Sequence, residues 1–257
     1  MSGYLALEPD SAAPLRLLCF HHAGGAASAF SHWQWELGPD IAVLPVQLPG
    51  REGRIKQPRL REMGRLVDEL DEQLGPWLSR PYVLYGHSMG AIVAYALTRR
   101  LLSRGGFLPQ RLLVGAHPAP HLAAGHARAL RMPDRELARW MVDIGGMSPE
   151  LLNYPDWLAA ATSLLRDDLA VCTSSWPRDG DPLPCPIDVF TGALDPLVST
   201  QDAEQWRRHT AARAAPCTSS PAVTSSSAIR FSCPDCVTWS AVQCHGRRGF
   251  RLRQGPR

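Results

Sequence analysis

Apolar residues are distributed along most of this chain in two alternating patterns. Short continuous runs, at Leu15 to Phe20, Ile41 to Gln47, Tyr82 to Tyr85, Arg111 to Ala116 and Ile187 to Thr191, have the length and composition of strands buried on both faces. Between them apolar residues recur every three or four positions. Leu60, Met63, Val67, Leu70 and Leu74 keep that spacing while Asp68, Glu69, Asp71 and Glu72 fall off it, which predicts an amphipathic helix. Ala91 to Leu102 predicts a second helix, stopped at Gly105-Gly106. Such alternation predicts an α/β fold in which a mostly parallel sheet carries helices on both faces.

The stretch from about residue 120 to 180 is too long for a plain connection and predicts an insertion with helices of its own. One helix follows Asp134, with Leu137, Trp140, Met141 and Ile144 inward. Another is predicted from Ser148, with Pro149 in its first turn. The Trp, Met and Leu content of the insertion suits a cover over apolar surface.

Both patterns stop near Ala211. Residues 211–257 contain seven arginines against one acid, Asp235, so this tail carries the positive charge of the chain and the first 210 residues are net acidic. Four of the seven cysteines, Cys217, Cys233, Cys236 and Cys244, lie there too. Rich in Ser, Pro and Arg and without apolar period, the tail is expected to pack poorly. Cys233-Pro-Asp-Cys236 with Cys244-His245 is too loosely spaced for a convincing zinc site, and no metal is expected. The chain of 257 residues suits one domain, 1–210, plus this tail. No secretory signal and no bilayer-length apolar run are visible, so the cysteines are expected to be thiols in a soluble, cytoplasmic protein. Neither a nucleic acid nor a membrane is expected as partner.

Candidate chemistry begins at Gly86-His87-Ser88-Met89-Gly90. This G-x-S-x-G follows a predicted strand and opens a predicted helix, the context of a nucleophile elbow, in which a sharp turn lifts the serine hydroxyl above the sheet. Ser88 is therefore the expected nucleophile. Acyl transfer also needs donors for the tetrahedral oxyanion, and this architecture draws them from the amide after the nucleophile and from an earlier strand-to-helix loop. Met89 supplies the first. Ala23, in "CFHHAGGAASAF" (Cys19 to Phe30), is expected to supply the second, since Gly24 and Gly25 let that backbone turn. His21 and His22 of the same loop are expected to pack or line a polar rim.

Four blocks, "CFHHAGGAASAFSHW" (Cys19 to Trp33), "VQLPGREGR" (Val46 to Arg54), "YGHSMGA" (Tyr85 to Ala91) and "FTGALDPLVSTQDAEQW" (Phe190 to Trp206), closely resemble the type II thioesterases of polyketide synthase and nonribosomal peptide synthetase pathways. These belong to the α/β hydrolases. The insertion is similar too, through "VDIGGMSPELL" (Val142 to Leu152) and "LLRDDL" (Leu164 to Leu169). The resemblance implies an α/β-hydrolase fold with a helical lid at about 120–180. It implies hydrolysis of acyl thioesters on the phosphopantetheine arm of acyl or peptidyl carrier proteins, with no cofactor of the enzyme's own. It also makes Asp195 the triad acid, which agrees with the chain order serine, acid, histidine. Asp188, within a strand, and Asp202, at a helix start, are poorer candidates.

The general base is missing from its place. The resemblance puts a histidine in a Gly-Gly-His-Phe-Phe segment after a last strand, where this chain reads "CTSSPAVTSSSAIR" (Cys217 to Arg230). Only His209, expected at the end of a surface helix, and His245 follow Asp195. A shift of reading frame starting somewhere between Thr210 and Cys217 is expected to account for this. Codons for Pro221 to Ser227 can be written CCG GCG GTC ACT TCT TCC TCN, and regrouping them yields Gly-Gly-His-Phe-Phe-Leu. Two function classes therefore stand: a housekeeping thioesterase, and a hydrolase-fold protein that binds a carrier domain without turnover.

Overall fold

A computed structural model describes residues 3–6, 13–122, 125–178, 180–192 and 195–212, together with the backbone of three strands in the tail. The apolar runs become the parallel strands β1 (Leu15–Phe20), β2 (Ile41–Pro45), β3 (Tyr82–His87), β4 (Arg111–Gly115) and β5 (Ile187–Gly192). Thr218–Ser220 forms β6, parallel to β5 in the register Phe190 to Thr218 and Gly192 to Ser220. The sheet order is β2-β1-β3-β4-β5-β6. Ile229–Cys233 (β7) and Cys236–Ala241 (β8) pair antiparallel with each other. Side chains of β1 alternate between two cores, Leu17 and Cys19 on one face and Leu18 and Phe20 on the other, as a period of two requires.

One face packs against the short helix α1 (Trp33–Leu37), through Trp33 and Leu37. The other takes α2 (Met63–Leu74) and α3 (Met89–Ser103), each through an apolar stripe. Leu60, expected inside α2, lies ahead of it and is partly buried against the same core. The insertion between β4 and β5 contains α4 (His126–Ala129), α5 (Asp134–Asp143) and the long α6 (Pro155–Thr173). Here the structure corrects one expectation. Ser148-Pro149 begins only a five-residue 3-10 turn, and the helix proper starts at Pro155, whose ring suits a first helical position. The short α7 (Thr200–Glu204) follows β5.

Strand order reverses between β1 and β3. The chain leaves β1 toward α1 on one face and leaves β3 directly into α3 on the other, so a crevice opens at the carboxyl ends of these two strands, where open α/β sheets bind ligands.

Candidate active site

Ser88 stands at that crevice. It links β3 to α3 with φ 53 and ψ −113, a backbone conformation that costs an ordinary residue about 1–3 kcal/mol and persists only where its surroundings enforce it. Two contacts enforce it here. The Ser88 N–H donates to the Gly115 carbonyl at the end of β4, 2.8 Å, and the Ser88 carbonyl accepts from Ala91 N–H, 2.9 Å. Gly86 and Gly90 permit the crossing of strand and helix. A Cβ on Gly86 would lie 2.1 Å from the Gly90 oxygen, and one on Gly90 would lie 2.0 Å from the Phe20 oxygen.

The loop after β1 faces this turn. His22 to Gly25 make a tight turn closed by the Gly25 N–H on the His22 carbonyl, 3.0 Å, with Gly24 at φ +77 in its third position, where a type II turn needs a positive φ. The Gly24 N–H donates to Asp168 Oδ2, 2.7 Å. Ala23 is buried between these bonds. Met89 opens α3, so its amide belongs to the first turn, whose N–H groups have no intrahelical acceptor. The His22–Gly25 turn and the first turn of α3 thus lie beside Ser88.

Asp195 follows β5, on the same edge of the sheet. Its Oδ1 accepts the Leu197 N–H at 2.8 Å and the Val198 N–H at 3.2 Å, which fixes the carboxylate. Asp188 instead takes both oxygens to Arg111 Nη1, 2.8 Å each, and Asp202 closes a cap with Ser199. Neither is poised for catalysis.

The histidines around the site are neutral packing groups. His21 is buried, its Nδ1–H donates to the His22 carbonyl at 2.8 Å, and burial beside Arg51 pushes its pKa down to about 3. Burial also lowers His22 and brings His87, whose ring meets His22 edge-on, down to about 4. His209 was expected on a surface helix. It is buried: Tyr95 OH shares a hydrogen bond with its Nδ1 at 2.9 Å, and His121 Nδ1 lies 2.8 Å from its Nε2. Both ring nitrogens are thereby committed, which removes His209 as a base. His245 lies outside the described residues, as do the residues around the expected triad histidine.

Sequence patterns missed Arg51 and Asp168, which are buried against the His22–Gly25 turn. Their only signal was a charged residue inside each of two distinctive blocks. No group of metal-ligating side chains occurs among the described residues, and none of their helices is long and apolar enough to cross a membrane. Cys19, Cys172 and Cys185 are buried thiols.

The pattern of the thioesterase domain family matches residues 15–218. The chain belongs to that family. This thioesterase is 32% identical to the gramicidin S biosynthesis protein GrsT of Aneurinibacillus migulanus, over 78% of each chain. Among solved structures it is similar to RedJ, a thioesterase from the prodiginine biosynthetic pathway of Streptomyces coelicolor, with 38% identity and a TM-score of 0.75 over 81% of this chain and 83% of that one. YbtT, a type II thioesterase from the yersiniabactin NRPS/PKS pathway, matches at 30% identity and a TM-score of 0.74, over 84% and 87% of the two chains. These relatives have the α/β-hydrolase fold, which the sheet described above shares.

Proposed function

We propose that this thioesterase releases acyl groups from the phosphopantetheine thioesters of acyl or peptidyl carrier proteins, as an editing enzyme of a polyketide or nonribosomal peptide assembly line. The observation that carries the reading is Ser88, held at positive φ between Gly86 and Gly90, in a chain whose relatives serve such pathways. Ser88 Oγ attacks the thioester carbonyl, and a histidine paired with Asp195 takes its proton. The Ala23 and Met89 amides hold the oxyanion. Collapse of the tetrahedral adduct expels the pantetheine sulfur, which leaves with that proton as the thiol. Water, deprotonated by the same base, then attacks the acyl-serine and frees the carboxylic acid while the proton returns to Ser88. None of these steps calls for a metal or a redox cofactor.

An acylated carrier protein should lose its acyl group as free acid to a frame-restored chain and only slowly to the 257-residue chain, and Ser88→Ala in the restored chain should abolish the release while carrier binding persists. Tight carrier binding with no release from either chain would favour the second reading, a hydrolase fold that docks carriers without turning them over.

A further inference from the structure

Two charged side chains 117 residues apart in sequence meet beneath the oxyanion loop. Arg51 is 5% exposed and Asp168, on α6, is 2% exposed. The guanidinium forks onto the carboxylate, Nη1 to Oδ2 at 2.7 Å and Nη2 to Oδ1 at 2.8 Å. Each partner also grips the loop. Asp168 Oδ2 accepts the Gly24 N–H at 2.7 Å, and Arg51 Nη1 donates to the Gly25 carbonyl at 3.2 Å. Arg51 Nε is occupied by the Pro49 carbonyl at 3.3 Å. A buried ion pair stabilises little in itself, because desolvation offsets most of the attraction, so the role of this one lies in what it grips. What it grips needs gripping: consecutive glycines, one at φ +77, have wide conformational freedom, and the adjacent amide must point at one oxygen to within a fraction of an ångström to act in catalysis.

We propose that Arg51 and Asp168 are positioning residues for the oxyanion hole. By clamping Gly24 and Gly25 from α6 and from the segment after β2, they set the direction of the Ala23 N–H. The proposal rests on the reading of Ala23 and Ser88 given above, and its test separates the two.

The test compares the full chain with Asp168→Asn, which keeps size and loses charge, and with Arg51→Lys, which keeps charge and loses the fork. Arg61→Ala removes an exposed ion pair to the neighbouring Asp167 and serves as the control. Amide hydrogen exchange over residues 21–27 reports the clamp. Affinity for octylboronate reports the hole: the Ser88 Oγ–B bond forms, the serine proton goes to solvent, and the adduct oxygen occupies the oxyanion position without needing a base. Asp168→Asn should speed exchange at least tenfold in that segment alone and weaken boronate binding by about 10–100-fold, approaching the loss of one oxyanion donor. Affinity for octanamide, which forms no adduct, should stay unchanged. Arg51→Lys should lie between parent and Asp168→Asn on both measures, and it carries the test alone if Asp168→Asn does not fold. Unchanged exchange overturns the clamp, and faster exchange with undiminished boronate affinity overturns its positioning role. If the parent chain forms no boronate adduct, the nucleophile reading fails, and the exchange measurement still decides whether the clamp exists.

Discussion

At the scale of single residues, backbone geometry and burial govern what can be changed. Gly90 has no room for a side chain because the obstacle is the Phe20 carbonyl, which belongs to a central strand. Gly90→Ala is therefore expected to lower unfolding free energy by about 1–3 kcal/mol, as overpacking does, read from urea unfolding, and to disturb Ser88. The buried histidines give stability a pH dependence whose sign is fixed. His21 and His117 are pushed down to about 3, and His87 and His126 to about 4, in each case chiefly by burial. Between the ordinary value of 6.5 and these values the unfolded chain binds protons that the folded chain refuses. Stability is therefore full above about pH 6.5 and is lost as pH falls toward 4, by at most about 1.4 kcal/mol per pH unit for each histidine. Urea midpoints at pH 7, 6 and 5 should fall in that order, and His117→Gln should flatten the slope by one histidine's share; a parent profile flat across this range would contradict the assignment. Ser88 and Met89 were readable from sequence as the turn between a strand and a helix, which β3 and α3 are; Ala23 was read from its loop after β1, and Asp195 rests on the resemblance. The Arg51–Asp168 pair was not readable, because contact between residues so far apart depends on how α6 docks.

At the scale of elements, the insertion divides into two halves. α6 buries Thr162, Leu165, Asp168, Leu169 and Cys172, and Ser174 just beyond it accepts the Met63 N–H at the start of α2, 2.9 Å. α4 and α5 rest on α6 and are tied to it by Arg166, which bonds Asp134, Leu130 and Met132. Movement that admits a pantetheine arm is therefore expected in α4 and α5. A disulfide engineered between α5 and the body of the protein should slow single-turnover acylation at least tenfold, and reduction should restore it; equal rates in both states would rule out gating. The strands β1 to β5 were legible because each is a short, mostly apolar run, broken only by single charges such as Arg16 and Asp188, although β2 stops at Pro45, where the Val46 N–H turns to Cys19 and the Gln47 N–H to Tyr4. The true start of α6 was not legible. Its buried stripe includes Asp168 and Thr162, which break the apolar period, while the Ser-Pro pair upstream imitates a cap.

At the scale of the whole molecule, parallel pairing makes every strand deliver its following loop to one edge of the sheet. β6 runs parallel to β5, with Ser220 beside Gly192, so the chain leaves the sheet after Ser220 on the edge where Asp195 stands. The resemblance expects its base after a last strand, and we propose that regrouped codons for Pro221 to Ser227, which lie outside the described residues, encode Gly-Gly-His-Phe-Phe-Leu there. The nucleotide sequence of the gene decides the matter: Val223 must end in C, and Thr224 and Ser225 in T or C, or the frame proposal fails. If they do, a frame-restored gene product should outpace the 257-residue chain by orders of magnitude in acid release, up to about 10⁶, because nucleophile and base act as a unit. The clamp on the oxyanion loop has a consequence in time as well as in space. The elbow at Ser88 is complete once residues 15–115 have folded, whereas the Gly24 amide finds its acceptor only when residue 168 arrives, at the cost of closing a long loop. A refolding chain is accordingly expected to regain amide protection in residues 15–115, read by pulsed hydrogen exchange, before its affinity for boronate, so that the nucleophile's turn exists before the loop beside it is fixed.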